Sequence, residues 1–344
     1  MKRVCIIGHF GHGENLLNGQ TVKTKIVTKE IVKELGKKEV SCIDTHGGVK
    51  ALISAFRHAL IALKYHKNII IMPAENGLRI FAPLLVLLNL LFHRKLHYVV
   101  IGGWLPEFLK KRKKLTKALM SFDGIYVETN TMRKALEAQG FNDVYVMPNF
   151  KDLNILKESE LVYHHTEPYR LCTFSRVMKE KGIEDAVNAV KTVNEHFGRI
   201  VYTLDIYGQV DSAQTEWFNE LKSTFPLYIK YGEFVPFDKS VEVLKNYFAL
   251  LFPTYYEGEG FAGTLLDAMA AGVPVIASDW RYNPEIVNEK TGYVYPVHDN
   301  HAFVTTLISV GNNSDLLFSK KSDCLKEAEK YRAENVIQCL TSKL

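Results

Sequence analysis

Residues 252–279 read FPTYYEGEGFAGTLLDAMAAGVPVIASD, a stretch in which apolar and glycine-rich segments follow one another. An apolar strand, Ala249–Phe252, enters a glycine-rich turn, and a run of good helix formers begins at Thr264. A second apolar strand, Pro274–Ala277, follows that helix. Strand, turn, helix and strand in this order form the repeating unit of a parallel sheet.

The same alternation of short β-branched runs and helical patterns extends through the rest of the chain. Near-continuous apolar strands separated by helices indicate parallel sheets covered on both faces. Two sets of about six strands predict an α/β fold with two Rossmann-like, doubly wound domains facing a cleft. A (β/α)₈ barrel is the competing architecture, with eight strands in one series. The predicted strands are Val4–Ile7, Val40–Asp44, Ile69–Met72, Tyr98–Ile101, Gly124–Val127, Val144–Met147, Leu171–Phe174, Tyr202–Tyr207, Ile229–Tyr231, Ala249–Phe252, Pro274–Ala277 and Tyr293–Tyr295.

A charged stretch without clear periodicity, residues 151–168, separates the two sets of strands. Such a break is expected between domains and not within one barrel, so it is interpreted as an interdomain linker. The predicted domains are therefore residues 1–150 and residues 169–314. Residues 315–344 are polar and helical, and we expect this tail to be able to pack back on the first domain.

Length and composition agree with two globular α/β domains. The chain has 344 residues, of which 47% are hydrophobic and 24% charged. Its five cysteines lie far apart, without a C-x-x-C pair. Cys5, Cys42 and Cys172 fall in apolar strands, which predicts buried, reduced thiols and a cytosolic protein.

No segment is predicted to be a cleaved signal peptide or a membrane-spanning helix. The N-terminal run MKRVCIIG has a short apolar core and no small-residue cleavage site after it, so it is interpreted as a strand and not a signal peptide. The longest apolar stretch, Ile80–Phe92, is interrupted by Pro83 and Asn89. It is shorter than the roughly 20 residues that a membrane-spanning helix needs.

Residues 105–122 combine a cluster of cations with apolar residues at helical spacing. An amphipathic helix is expected here, and two interpretations stay open. A basic amphipathic helix can lie on an anionic membrane surface at the inner face of the cell membrane, and it can equally pack its apolar stripe on its own domain. Nucleic acid is not predicted as a partner, because no aromatic stacking platform accompanies the charge. The cations are Lys110, Lys111, Arg112, Lys113, Lys114 and Lys117, and the apolar residues are Leu105, Phe108, Leu109, Leu115, Leu119 and Phe122.

The turn after Phe252 has the features of a phosphate-binding site. Glycines let the backbone approach a ligand, and the following helix N-terminus presents free N–H groups and a positive dipole end. Glu259 lies in the turn and Asp267 lies one helical turn inside. Carboxylates in such a place can bind sugar and ribose hydroxyls through charge-assisted hydrogen bonds. The stretch therefore predicts a site for a sugar diphosphate.

The order of these residues resembles the signature of the retaining, GT-B-fold glycosyltransferases of family 4. In that family a glutamate, seven residues and a second glutamate precede A-x-A-x-G-x-P-V-I-A. Glu259 and Asp267 stand at the two acidic positions here, and AMAAGVPVIA follows. The change to Asp267 keeps the charge and shortens the reach. The resemblance implies donor contacts from Glu259, Gly260, Phe261, Ala262, Gly263, Thr264 and Asp267.

A second segment, TFSRVMKEKG at residues 173–182, resembles the family's GR-x₄-KG motif, with Ser175 in place of the usual glycine. The resemblance implies that Arg176 and Lys181 contact the donor diphosphate. Two cations can stabilise the negative charge that develops on a leaving nucleotide. Taken alone, the same residues could be surface ion-pair partners. The chain contains no Asp-x-Asp pair, which argues against a metal-bridged diphosphate, and neither a metal nor a cofactor is predicted.

The first domain is expected to bind the acceptor. By the resemblance, Gly19 and Gln20 belong to a loop that meets the acceptor and closes on the donor phosphate. A dinucleotide site is discounted, because the glycines after the first strand do not have G-x-G-x-x-G spacing. His9 and His12 in the same loop are candidate acid–base groups or simply polar surface residues.

Two further loops follow strands of the first domain, and such loops line the ligand crevice of open α/β sheets. Glu75 and Asn76 are predicted to bind acceptor hydroxyls. Trp104 is predicted to stack on a sugar face, or else to anchor the helix that follows it. Many relatives have a histidine in the second loop, which this chain lacks. Asn149 matches a P-N turn of the family and is expected to have a structural role.

The resemblance implies transfer of a sugar with retained configuration from a nucleotide-diphosphate sugar, UDP-sugar favoured, to a glycan or lipid-linked saccharide in bacterial surface polysaccharide synthesis. Attack on the same face as the departing diphosphate needs no protein nucleophile. Glu259, Arg176 and Lys181 would then form the catalytic group. Two alternatives stay open: a nucleotide-sugar epimerase of the same architecture, and a catalytically silent nucleotide-binding partner subunit.

Overall fold

The chain forms two compact units in a computed structural model that describes residues 1–11, 19–45 and 54–344. Unit 1 comprises Met1–Asp152 and Arg332–Leu344, and unit 2 comprises Leu153–Tyr331. Each unit contains one six-stranded sheet in which every pairing of neighbouring strands is parallel. The predicted fold class of two doubly wound parallel sheets is therefore confirmed.

The sheet of unit 1 has the order β2-β1-β3-β4-β5-β6. Its strands are β1 (Lys2–Gly8), β2 (Val40–Asp44), β3 (His66–Ile71), β4 (Lys95–Val99), β5 (Gly124–Val127) and β6 (Val144–Val146). Its helices are α1 (Gly19–Leu35), α2 (Ala55–Tyr65), α3 (Glu75–Phe92), α4 (Leu105–Lys110), α5 (Lys113–Leu119), α6 (Asn130–Glu137) and the C-terminal helix α15 (Ala333–Thr341).

The connections of unit 1 decide which face of the sheet each helix covers. Parallel crossovers are almost always right-handed. The connection from β1 to β2 and the later connections from β2 to β3 and onward run in opposite directions along the sheet, so their helices lie on opposite faces. Helix α1 therefore covers one face together with α15, which packs beside it. Helices α2, α3 and α5 are successive neighbours on the other face.

The sheet of unit 2 has the order β12-β11-β10-β7-β8-β9. Its strands are β7 (Tyr169–Phe174), β8 (Tyr202–Tyr207), β9 (Ile229–Tyr231), β10 (Ala249–Phe252), β11 (Val275–Ser278) and β12 (Gly292–Tyr295). Its helices are α7 (Ile183–Phe197), α8 (Thr215–Ser223), α9 (Ser240–Leu244), α10 (Gly263–Ala270), α11 (Asn283–Ile286), α12 (Asn300–Asn312), α13 (Asp315–Phe318) and α14 (Lys321–Glu329). Strand β10 is buried along its whole length, as its uninterrupted apolar sequence predicts.

Most of the stretch interpreted as a linker, residues 153–168, belongs to unit 2. Leu153 and Leu156 are buried, and the amide of Leu156 donates to the carbonyl of Ala270 at 3.0 Å. The C-terminal residues are divided between the units. Helices α13 and α14 belong to unit 2, whereas α15 belongs to unit 1, where Lys151 forms a β-bridge with Arg332.

The single helix expected over residues 105–122 is two short helices, α4 and α5. The backbone leaves the helical region at Arg112, with φ −131° and ψ 57°. Five consecutive cations repel one another within a continuous helix, which explains a break inside the run. The six apolar residues of the predicted stripe are buried or half-buried, so the stripe packs on unit 1, and Met120 beside it is 43% exposed.

The expectation of a buried thiol is wrong for Cys42, which is exposed on β2, an edge strand of its sheet. An edge strand has a neighbour on one side only, so its side chains are covered less completely. Cys5 and Cys172 are buried on interior strands as predicted, and burial raises the pKa of the Cys5 thiol to about 12.

Helix α3 is longer than the apolar run Ile80–Phe92, because Glu75–Arg79 forms its first turns. Within the described residues it is the one helix whose length and apolar composition are sufficient to cross a bilayer, a test that core helices also pass. Only 28% of it is buried. One face of α3 packs in the core of unit 1 through Leu78, Phe81, Ala82 and Leu85.

A buried histidine of unit 1 predicts a pH-dependent stability. Burial lowers the pKa of His97 on β4 to about 4, and its Nδ1 lies 3.2 Å from the Tyr126 hydroxyl. An unfolded histidine titrates near 6.5. The unfolded chain therefore binds a proton that the folded chain does not as the pH falls from 6.5 to 4, and stability is lost across this window.

When the pH falls from 7 to 4, the unfolding free energy should decrease by about 3 kcal/mol less in His97→Asn than in wild type. The asparagine keeps a hydrogen-bond acceptor for Tyr126. Urea unfolding at both pH values measures this difference. His93→Asn, at an exposed position with φ 51°, is the matched control and should follow wild type. Equal pH dependence of the two variants would contradict the assignment.

Candidate functional site

The strand order of unit 2 reverses between β7 and β10. From β7 the chain proceeds to β8 and β9 on one side, and from β10 to β11 and β12 on the other. Ligands of open α/β sheets bind outside the carboxyl ends of the strands at such a reversal. The two loops that meet there, residues 175–182 and 253–262, contain the two segments that the sequence singled out.

The backbones of these two loops are in direct contact. Gly182 has φ 68°, and a Cβ at this position would lie 2.1 Å from the carbonyl oxygen of Pro253. The amide of Tyr255 donates to the carbonyl of Glu180 at 2.8 Å. Glycine at position 182 is therefore required twice, by its left-handed conformation and by the close approach of the other loop.

The contact brings Lys181 and Glu259 together. Lys181 Nζ lies 2.5 Å from Glu259 Oε2, and the two side chains are 11% and 7% exposed. The Thr254 hydroxyl donates to the same carboxylate oxygen at 2.8 Å. A buried charge is stable only when it is paired and hydrogen-bonded, and both conditions are met here.

Arg176 points toward the same loop and is more open to solvent. Its guanidinium carbon lies 5.7 Å from the ring centroid of Tyr256, and Lys181 Nζ lies 4.9 Å from the same centroid. Arg176 also pairs with Asp211 at 3.3 Å and is 48% exposed. The two predicted cations thus converge on one aromatic ring, and the interpretation of Arg176 as an ion-pair residue is compatible with the same geometry.

The helix that follows the glycine turn begins at Gly263, one residue before the predicted start. Neither a side-chain cap at Ala262 nor an acidic residue in the first turn is present among the residues described here. The positive end of α10 is therefore not neutralised locally, which favours an anion. Within the described part of unit 2 no hydrogen-bond partner reaches the buried Thr264 Oγ1.

Three further residues that were predicted to contact the donor are buried. Gly260 is buried, and Phe261 is buried with its ring edge-on to Tyr331 at 5.1 Å between centroids. Asp267 is 4% exposed, near the middle of α10. Its predicted contact with a ribose stays a prediction.

Three residues outside the predicted set hold the site together. The Ser278 hydroxyl donates to the Thr254 carbonyl at 2.5 Å, and the Trp280 indole donates to the Tyr256 carbonyl at 2.7 Å. Thr254 and Ser278 are buried hydroxyls at the carboxyl ends of neighbouring strands β10 and β11. A polar residue directly after an apolar strand is the signal that could have identified them.

The first-domain candidates lie in unit 1 near the carboxyl ends of its strands. Gly19 and Gln20 begin α1, and the Gln20 side-chain amide donates to the Met72 carbonyl at 3.4 Å. The His9 ring nitrogen lies 2.8 Å from the Thr21 hydroxyl. His12 lies outside the described residues.

Glu75 and Asn76 are exposed in the first turn of α3. Trp104 is half-buried, and its indole donates to the Ile101 carbonyl at 2.8 Å. Its ring meets Phe108 edge-on at 5.1 Å, so it contacts the helix that follows it. The predicted acceptor contacts of these residues stay predictions.

A buried ion pair in unit 1 was also missed from the sequence. Lys23 Nζ lies 3.4 Å from Glu128 and 3.0 Å from the side-chain oxygen of Asn149, and both charged side chains are 4% exposed. Burial lowers the pKa of Lys23, and Glu128 acts in the opposite direction. Asn149 thus links the segment after β6 to α1 through Lys23, whereas its expected role in a turn of the P-N type stays a prediction.

Among the residues that the structure describes, no three His, Cys, Asp or Glu side chains gather into a group that could hold a metal ion.

The two-sheet architecture is that of the GT-B glycosyltransferases. A solved structure of Anabaena Alr3699/HepE in complex with UDP-glucose superposes with a TM-score of 0.74 over 99% of both chains, at 12% identity. This likeness shows the fold.

Sequence comparison assigns unit 2 more specifically. Residues 168–313 match the family model of the glycosyl transferases group 1, so unit 2 contains a domain of that type. The GtfA subunit of the UDP-N-acetylglucosamine–peptide N-acetylglucosaminyltransferase of Streptococcus gordonii is 28% identical over 209 residues. The amylovoran biosynthesis glycosyltransferase AmsK of Erwinia amylovora is 26% identical over 147 residues. These matches cover 55% and 41% of this chain, and 38% and 36% of the two relatives.

The pair of Lys181 and Glu259 predicts a strong energetic coupling. Lys181→Met leaves a buried carboxylate without its cation, so we expect about 3 kcal/mol of lost stability, whereas Lys181→Met combined with Glu259→Gln should recover most of it. Urea unfolding of wild type, both single variants and the double variant measures the coupling. Additive effects of the two substitutions would show that the pair is not formed.

Proposed function

We propose that this chain is a retaining glycosyltransferase that transfers a sugar from a nucleotide-diphosphate sugar to a glycan or lipid-linked saccharide. The observation that carries the proposal is the convergence of Arg176, Lys181 and Glu259 on one turn before an uncapped helix. The family match of residues 168–313 supports the same reaction class. UDP-sugars are favoured as donors, because the relative from Streptococcus gordonii is named for UDP-N-acetylglucosamine and the HepE structure holds UDP-glucose.

The donor diphosphate lies at the N-terminus of α10 in this proposal. Lys181 Nζ has three N–H groups and uses one on Glu259, so the others are available to phosphate oxygens. Arg176 is 48% exposed beside the same loop and adds a planar, permanently charged donor. Negative charge that develops on the departing nucleotide is stabilised by both cations and the helix dipole.

Glu259 binds the transferred sugar. Lys181 and Thr254 both contact Oε2, which leaves Oε1 for a sugar hydroxyl. Asp267 contributes the ribose contact. The acceptor hydroxyl attacks the anomeric carbon on the face from which the diphosphate departs, and a donor phosphate oxygen accepts its proton. No protein nucleophile takes part in this reaction.

The acceptor is held by unit 1, through Gly19, Gln20, Glu75, Asn76 and Trp104. Synthesis of a bacterial surface polysaccharide at the cytoplasmic face of the membrane supplies such an acceptor, and AmsK is named for amylovoran biosynthesis. The cations of residues 105–122 attract the enzyme to that surface.

Variants of the two site charges test the donor assignment. We expect Arg176→Ala to weaken UDP binding by about ten- to a hundredfold, because a charge-assisted contact to phosphate is lost. Glu259→Gln should retain UDP and lower sugar transfer by about a hundredfold or more. Calorimetry with UDP and transfer of radiolabelled sugar from a donor panel into membrane lipid measure the two effects.

Arg199→Ala is the matched control, since this arginine is 55% exposed and paired with Glu167 at 2.8 Å. It should leave binding and transfer unchanged. Conversion of the donor sugar without any acceptor would identify an epimerase instead. UDP binding without turnover of any donor would identify a silent partner subunit.

Metal-independent transfer is the remaining part of the proposal. The two cations and the helix terminus supply the positive charge that a divalent ion would otherwise provide. We expect transfer rates to change by less than about twofold when EDTA replaces Mg²⁺ or Mn²⁺. A rate that collapses in EDTA and returns with either ion would refute this part.

A further inference from the structure

The positive charge of this protein is concentrated in one part of unit 1. Residues 54–122 contain twelve lysines and arginines and two acidic residues, a formal charge of +10. The whole chain carries +5, so the rest of the chain carries −5. A partner of residues 54–122 is therefore expected to be anionic.

Among the described residues, most of the cations near helices α4 and α5 form no ion pair with an acidic side chain. In the described part of the chain, Lys110 pairs with Glu107, whereas no ion pair involves Arg79, Lys111 or Lys113. A shallow, open depression of about 530 Å³ lies between α3 and these helices. It is lined by Arg79, Pro83, Lys110, Lys111, Arg112, Lys113, Lys114 and Leu115.

An apolar stripe lies on the outer face of α3, in the same helix layer. Leu87, Leu90 and Leu91 are 64%, 66% and 79% exposed, and Ile80 is 37% exposed. Their spacing of three, four and seven residues places them along one side of the helix. The outer face of a helix that covers a sheet is normally polar. On α3 this face carries leucines in place of the expected polar residues.

The neighbouring helix α2 continues the apolar surface. Its Phe56, Ile61 and Tyr65 are 53%, 38% and 52% exposed, beside the exposed cations Arg57 and Lys64. Helices α2, α3 and α5 are neighbours on one face of the sheet. Exposed leucines in the middle and exposed cations on both sides thus share one surface of unit 1.

We infer that this surface, formed by helices α2, α3, α4 and α5, docks on an anionic lipid bilayer. The leucines of α3 enter the boundary of the acyl chains, and the depression beside Arg79 takes lipid phosphate groups. Helix α3 lies on the bilayer and does not cross it, because its opposite face packs Leu78, Phe81 and Leu85 in the core of unit 1.

This inference deepens the membrane association in the proposed function, and it adds the apolar stripe of α3 as the part that enters the lipid. Its test is independent of sugar transfer, because vesicle binding by unit 1 and UDP binding by unit 2 are measured separately.

Flotation of the full chain with two kinds of vesicle tests the inference. One kind contains phosphatidylcholine alone, and the other contains phosphatidylcholine with about 30 mol% phosphatidylglycerol, which makes its surface anionic. We expect binding to the anionic vesicles only, with loss at high salt. L87S/L90S/L91S and K111E/K113E/K114E should each reduce the apparent partition coefficient by about tenfold or more.

Leu227→Ser in unit 2, at a position 96% exposed, and K37E/K38E in unit 1 are the matched controls and should bind as wild type. The UDP-induced thermal shift of every variant should equal that of wild type, which shows that the chain is folded.

Equal binding of both triple variants and wild type would overturn the inference, as would equal binding to the two kinds of vesicle. Light scattering tests whether a second copy of the chain, and not lipid, covers the apolar stripe. A wild-type dimer that dissociates in L87S/L90S/L91S, without vesicle binding, would assign the stripe to another copy of the chain and not to lipid.

Discussion

The carbonyl oxygen of Pro253 occupies the space that a side chain at position 182 would need, at 2.1 Å from an added Cβ. That contact holds the loops after β7 and β10 against each other, and the chemistry of the site depends on it. Lys181 precedes Gly182 directly, so its ammonium group reaches Glu259 in the opposite loop. A side chain at position 182 would separate the loops and leave a carboxylate buried without its cation, which is the costly arrangement for a charge.

Strand order explains why these loops meet at all. A reversal of direction between β7 and β10 leaves a crevice at their carboxyl ends, and both motif segments begin there. Unit 1 has the corresponding reversal between β1 and β3, followed by the segments with His9 and Glu75. The two sheets repeat one architecture, yet among the residues that the structure describes it is unit 2 that gathers a buried ion pair, a second cation and an uncapped helix end around a single turn.

Much of this could be predicted from the sequence, because it depends on local pattern. Apolar runs of the sequence overlap all twelve strands that the structure describes, and the order of glycines and charges singled out the two loops that meet at the ends of β7 and β10. What was missed depends on tertiary neighbours. Cys42 has a strand-like sequence context but lies on an edge strand, and residues 105–122 have helical periodicity but contain too many adjacent cations for one helix. Thr254 was overlooked, since its importance comes from a hydroxyl aimed at Glu259 and not from any motif.

Helix α3 shows most clearly what periodicity cannot decide. A helix that is apolar on all sides has the sequence of a core helix, and nothing in residues 80–92 distinguishes the buried face from the exposed one. Only the packing of α2, α3 and α5 in one layer shows that Leu87, Leu90 and Leu91 face outward.

The cations of the two units differ in how they are paired. Lys181 and Arg176 are paired with Glu259 and Asp211, so each of these two cations is held beside a carboxylate. The cations beside α3 are numerous, mostly exposed and, within the described part of the chain, largely without an acidic partner, which suits a broad anionic surface and not a single ligand.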